Sequence, residues 1–160
     1  MTCESRSYPF LFAECHQPMP ATYEKMGIRF LYPDNWSLDE QDALDDNPQV
    51  AVYSPGGAFW SVALHPRETD PSELAGAALR TLKSEYDDSE AEPVTEDIGG
   101  RLIDGYDLSF FYLDFTNTAL IRSFRTDHNT CLILCQAEDR EFDVVGPVFQ
   151  AITTSLLFNR

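Results

Sequence analysis

The stretch RLIDGYDLSFFYLDFTNTALIRSFRTDHNTCLILCQA, residues 101–137, decides the fold class. It reads as three long apolar strands, Arg101 to Phe115, Asn117 to Thr126 and Thr130 to Ala137, the first with a bend at Gly105. Thr116-Asn117 and Asp127-His128-Asn129 supply the turn chemistry between them. Connections this short force neighbouring strands to run antiparallel, because a parallel link needs a longer crossover. Phe110, Phe111 and Tyr112 in succession place large rings on both sides of one strand, as Phe59 and Trp60 do on another. A sheet covered by helices on both faces accounts for that pattern. A sheet with one face incompletely covered, leaving an aromatic groove, is the alternative.

Working outward, residues 141–157 place Phe142, Val145, Phe149, Ile152 and Leu156 at intervals of three and four, a helical stripe. Pro147 removes a backbone donor there, so a kink or a restart is expected at that point. On the other side, Asp70-Pro71-Ser72-Glu73 opens a helix, with Asp70 as cap and Pro71 in the first turn. Its buried stripe is Leu74, Ala78, Leu79, Leu82 and Tyr86. Gln49 to Tyr53 and Ala58 to His65 read as strands joined through Gly56-Gly57. Residues 21–33 alternate as one further strand with Tyr23, Ile28, Phe30 and Tyr32 on a buried face, closed by Pro33-Asp34-Asn35-Trp36. The order is β-β-β-α-β-β-β-α, an α+β domain with an antiparallel central sheet. A single domain is expected over 21–160, preceded by a loosely ordered segment over 1–20.

The residues Met26-Gly27-Ile28-Arg29-Phe30-Leu31-Tyr32-Pro33-Asp34-Asn35-Trp36 resemble the opening of the Mog1/PsbP-like superfamily, a glycine and an alternating aromatic strand followed by Tyr-Pro-x-x-Trp. The similarity continues in the apolar strand and proline before the Asp70 helix. It extends to the acidic-aromatic start of the last helix, Glu138 to Phe142, and to the ending Phe149 to Phe158. It covers about residues 22–158, judged by the order of elements. The resemblance implies an α/β/α sandwich and a binding or assembly factor rather than an enzyme. It assigns no binding residue to a position in this chain.

Composition narrows the function classes. Twenty-seven acidic residues against eleven basic ones give a formal charge of −16, which disfavours nucleic acid and anionic membrane as partners. No apolar run approaches the about 20 residues that span a bilayer. The N-terminus lacks the basic start and long apolar stretch of a secretory signal, so a cytoplasmic protein is expected. The acid is concentrated. Residues 34–48 hold six acids and residues 84–97 seven, with no base in either. Both stretches lack an apolar period and read as solvated loops. Solubility is the plainer account of them. Docking of a basic protein partner is the other, with Asp39, Glu40, Asp42, Asp45, Asp46, Asp87, Asp88 and Glu90 as the candidate surface.

Catalytic signatures are missing from the sequence: no P-loop, Gly-x-Ser-x-Gly, His-Glu-x-x-His or Cys-x-x-Cys is present. No cofactor or metal site is expected, and His16 beside Cys15 and Glu14 falls short of the three or four convergent ligands a metal needs. Cys131 and Cys135, four apart on a strand, share a face at about 13 Å. A disulfide needs α-carbons within about 7 Å. They read as small core hydrophobes, and Cys3 and Cys15 as exposed thiols. The expected function is a non-enzymatic protein-binding or assembly module. A hydrolase or thiol enzyme pairing His65 or His128 with a cysteine, and a structural subunit of a larger complex, are the alternatives.

Overall fold

In the computed structural model, residues 19–41 and 47–158 are described. Nine strands and two helices occur among them. The strands β1 (Pro20–Lys25) and β2 (Ile28–Pro33) form a separate antiparallel hairpin. The main sheet is built from β3 (Ser37–Gln41), β4 (Gln49–Tyr53), β5 (Phe59–Pro66), β6 (Glu90–Ile98), β7 (Arg101–Tyr112), β8 (Phe115–Arg125) and β9 (Asn129–Glu138). Its spatial order is β3-β4-β5-β9-β8-β7-β6, with every neighbouring pair antiparallel. The helix α1 (Pro71–Glu85) joins β5 to β6, and α2 (Asp139–Phe158) follows β9.

The period of two along the strands sorts the core into two layers. On β9, Cys131, Ile133 and Cys135 face α2, where they pack with Val145, Phe149, Ile152 and Leu156. The intervening Leu132 and Leu134 face α1, with Leu108, Phe110, Ala119 and Ile121 beside Ala75 and Leu82. The helices therefore cover opposite faces, which is the α/β/α sandwich. The β1–β2 hairpin shares the α2 layer. Phe30 lies 4.8 Å from the Trp60 ring, and the Leu31 amide donates to Ser155 Oγ at 2.9 Å.

Several elements depart from the sequence reading. Residues 21–33 are a hairpin, not one strand. Met26 and Gly27 both take positive φ, 58° and 79°, which makes the two-residue reversal. The two acidic stretches are not only loops. Ser37–Gln41 and Glu90–Ile98 are the two edge strands of the main sheet. An edge strand needs only backbone pairing on one side, so it forms without the apolar alternation that marks a central strand. On β6 only Ile98 is buried. The β7–β8 turn falls at Leu113-Asp114 rather than Thr116-Asn117. Tyr112 pairs with Phe115, and Asn117 is a buried strand residue whose Nδ2 donates to Phe115 O at 3.0 Å. The last helix continues through Pro147 as one element instead of restarting. Asp70 occupies the N-cap position of α1 but makes no side-chain capping bond.

The loosely ordered segment expected over 1–20 lies outside the described residues up to position 18. Pro20 begins β1, and the Asp34 amide donates to the O of Met19 just before it at 3.0 Å.

Candidate binding surface

Strand pairing carries β7 and β8 past the end of their neighbour. β6 starts at Glu90, opposite Ser109, so Phe110, Phe111 and Tyr112 run beyond it toward the turn. At that tip Phe111 is 65% exposed, Tyr112 49%, Leu113 72% and Phe115 43%. Four large apolar side chains within five residues thus face solvent. The turn itself is unusual. Leu113 and Asp114 take φ of 52° and 68°, the left-handed pair of a two-residue hairpin turn that Asn-Gly fits best. An aliphatic residue in that conformation costs about 1–2 kcal/mol. The tip is anchored on one side by Tyr86 at the end of α1. Its ring stacks on Phe110 at 4.0 Å and meets Tyr112 edge-on at 5.6 Å. On the other side the Arg140 guanidinium lies 4.7 Å from the Phe115 ring centroid and is bonded to Glu138.

The eight candidate acidic residues do not form one surface. Asp87 and Asp88 follow Tyr86 directly, and Glu90 begins β6, so these three flank the aromatic tip. Asp39 and Glu40 stand on β3, the opposite edge of the sheet. Asp42, Asp45 and Asp46 lie outside the described residues. Glu40 is partly engaged. It accepts from Tyr23 Oη at 2.8 Å and pairs with Lys25 at 3.2 Å. The Tyr23 hydrogen bond first, then Lys25, holds its carboxyl below the usual carboxylate value.

The aromatic residues divide as strand alternation requires. Trp60 and Phe110 are fully covered in opposite layers, Phe59 is half-buried against Tyr53, and Phe111 is left out. An apolar cleft of about 420 Å³ does exist, but between β2 and α2 rather than on the sheet face. Leu31, Tyr32, Val148 and Ile152 line it. The one buried guanidinium of the sheet, Arg122, is held by Glu96 Oε1 at 2.8 Å and by the Ile121 carbonyl at 2.9 Å. Asp107 Oδ1 sits 3.0 Å from its Nη1 but off the N–H axis, an ion contact rather than an aligned hydrogen bond.

The cysteine–histidine reading finds no support in the geometry. Cys131 and Cys135 are buried and free. Burial pushes the Cys131 thiol up to about 12, and Cys135 is raised further for the same reason. His128 is exposed in the β8–β9 turn, and His65 is half-buried near the end of β5. His16, Cys3 and Cys15 lie outside the described residues. Among the described residues no group of three or more His, Cys, Asp or Glu is placed to hold a metal, and no helix is long and apolar enough to cross a membrane. Since the thiolate is the reactive form, Cys131 and Cys135 are expected to resist iodoacetamide at pH 8 in the folded protein. They should alkylate fully in denaturant. Mass spectrometry of the β9 peptide checks this, and rapid native labelling would contradict the burial.

No protein-family model matches the chain, and no curated protein matches it by sequence. Solved structures do. The chain is similar to the solution structure of cyanobacterial PsbP (CyanoP) from Synechocystis sp. PCC 6803, with a TM-score of 0.59 at 14% identity, over 85% of this chain and 90% of that one. It is also similar to PA94 from Pseudomonas aeruginosa, described as a protein of unknown function and putative regulator. There the TM-score is 0.50 at 9% identity, over 86% of this chain and 95% of the other. At these identities the likeness establishes the fold alone, a PsbP-like antiparallel sheet between helices.

Proposed function

We propose that this chain is a non-catalytic protein-binding module that docks through the β7–β8 hairpin tip. The observation that carries the reading is the tip itself, where Phe111, Tyr112, Leu113 and Phe115 are exposed together around a turn that an aliphatic residue strains. Strain retained in a turn and apolar area left in water both oppose folding. A partner that buries the tip recovers the second. Three of the four, Phe111, Tyr112 and Phe115, are aromatic, the class of side chain enriched at the cores of protein interfaces. The binding and assembly roles implied by the Mog1/PsbP-like resemblance agree with this reading. Asp87, Asp88 and Glu90 beside the tip favour a partner with basic groups around an apolar anchor, and they disfavour an anionic membrane or nucleic acid.

Asp39 and Glu40 receive a different role. They stand on β3 as Glu90, Glu92 and Glu96 stand on β6, and β6 also carries Pro93. Charge and proline on edge strands block edge-to-edge pairing with other chains. On this account the acid of both edges keeps the protein monodisperse, and only the acids next to the tip also guide a partner.

The test separates docking from folding. Leu113→Asn with Asp114→Gly supplies the preferred turn sequence, and Phe111→Ser removes the most exposed ring among the described residues. The first pair is expected to raise stability by about 1 kcal/mol through relief of left-handed strain. The triple variant is expected to stay folded and to lose at least about tenfold of the partner captured by the wild type. Circular dichroism melts and quantitative affinity capture read the two effects. A triple variant that stays folded and captures the same partner undiminished sinks the proposal.

A further inference from the structure

We propose that the apolar cleft between β2 and α2 is a docking site for the chain's own N-terminal segment, with Pro9-Phe10-Leu11-Phe12-Ala13 as the occupant. The cleft measures about 420 Å³, within the size range of ligand pockets. It shares no lining residue with the β7–β8 tip, so it is a second surface and not an extension of the first.

The walls set the chemistry of what fits. β2 supplies Leu31, Tyr32 and Pro33, and α2 supplies Pro147, Val148 and Ile152. No charged residue lines the cleft, in a chain with 27 acids and 11 bases. Its one hydroxyl besides that of Tyr32 is Ser155, which is already used. Ser155 Oγ accepts from the Leu31 amide at 2.9 Å and donates to Ile152 O at 2.7 Å. The same bond occupies the Leu31 amide, so what the cleft offers there is apolar side-chain contact rather than strand pairing. A charged occupant would bury its charge without a partner, which is costly. The fitting occupant is a short, uncharged, apolar segment.

The chain supplies such a segment, tethered at the cleft itself. Residues 1–18 lie outside the described residues and contain one apolar run, Pro9 to Ala13, bounded by Arg6 and Glu14. Where the described chain begins, Met19 O accepts from the Asp34 amide at 3.0 Å, and Pro20 lines the cleft. The tether therefore starts on the wall of the site. Ala13 precedes Pro20 by seven positions, a reach of at most about 25 Å. The helical wall from Pro147 to Ser155 is about 12 Å long, so the run can be laid along it. A tether this short holds its end at an effective concentration on the order of millimolar. A second copy or a separate protein at micromolar concentration competes at a disadvantage of about a thousandfold. Docking removes the apolar surface of segment and cleft from water together. The segment is then an intramolecular cover, which any other occupant of the cleft has to displace.

The test uses the full chain with Phe12 replaced by the photocrosslinker p-benzoyl-L-phenylalanine. Purified protein is irradiated at low micromolar concentration as an equal mixture of unlabelled and nitrogen-15-labelled chains. Peptide mapping is expected to find the dominant cross-link within one chain, on residues 28–33 or 147–155. Ala151 also lines the cleft and is exposed on α2, so Ala151→Asp puts a carboxylate there without entering the core. It is expected to lower the cross-link yield at least about fivefold, whereas the neutral Ala151→Ser keeps it. Thermal melts establish that both variants are folded. A dominant cross-link between chains assigns the cleft to a second copy, and one to peptides outside the cleft leaves it to a separate partner. Either overturns the proposal, as does a yield that Ala151→Asp leaves unchanged.

Discussion

Gly105→Ala is expected to destabilise the protein by about 3 kcal/mol, at the upper end of what overpacking costs in a core. Gly105 lies inside β7 and pairs with Arg122 on β8. A Cβ at this position would fall on the Ile121 carbonyl oxygen and 3.1 Å from Arg122 Cδ. The first obstacle is backbone, which cannot swing aside as a side chain can. The second belongs to a buried arginine that is itself tied to the Ile121 and Tyr106 carbonyls and to Glu96. Relieving the clash means separating β7 from β8 in the middle of their ladder or displacing the guanidinium from its partners. For a chain of this size the loss corresponds to a melting temperature lower by about 6–12 °C. Gly76→Ala is the control. Gly76 is inside α1, and a Cβ there meets only Arg80 Nη1, at an ordinary 3.6 Å. That substitution is expected to stabilise by about 0.5–1 kcal/mol, the helix-propensity difference between the two residues. Thermal and urea melts of both variants check the contrast. Equal effects at the two glycines would mean that the close approach of β7 and β8 does not exist.

The same glycine shows what kind of information the sequence carries. Gly105 reads there as a bend, because a glycine inside a strand marks either a bend or a close approach, and composition does not choose between them. The choice depends on Ile121, sixteen positions away. The core meander was legible because burial imposes alternation. Cys131, Ile133 and Cys135 on one side and Leu132 and Leu134 on the other are read directly from the period of two. The edge strands were not legible, because Glu90 to Asp97 bury almost nothing and so leave no period. What makes them strands is the unsatisfied backbone of β7 and β4 next to them. The aromatic tip was half legible. Phe110, Phe111 and Tyr112 are visible as too apolar for an alternating strand, but the polar Thr116-Asn117 carries the turn signal in the sequence. Leu113, an aliphatic residue in a conformation that favours Asn or Gly, gives no turn signal. The Ser123 hydroxyl, buried on β8 with no hydrogen-bond partner in the protein, has no signature in the sequence at all. A serine in a strand is ordinary until its neighbours are known.

Trp60→Ala is expected to cost about 3–5 kcal/mol, the range for removing a large buried aromatic side chain. Trp60 has no exposed surface. It sits on β5 opposite Cys135 of β9 and Val52 of β4, with the Phe30 ring 4.8 Å away and Nε1 donating to Thr153 Oγ1 at 2.9 Å. One side chain therefore touches the central sheet, the β1–β2 hairpin and α2. The hairpin forms no ladder with the main sheet, so its attachment depends on side chains such as Phe30 and on the Leu31 amide bond to Ser155. Loss of Trp60 opens a cavity where these three parts meet, and the hairpin is the part with least else to hold it. The expected result is a lowered global melting temperature together with faster amide exchange over residues 20–33. Thr153→Val separates the polar contribution from the packing. It keeps the shape but strands the buried indole N–H, and is expected to cost about 1–3 kcal/mol without a cavity. It should leave exchange in the hairpin closer to that of the wild type. Hydrogen exchange followed by mass spectrometry distinguishes the two variants. If Trp60→Ala leaves exchange in residues 20–33 unchanged while lowering global stability, the hairpin is held by contacts other than this ring.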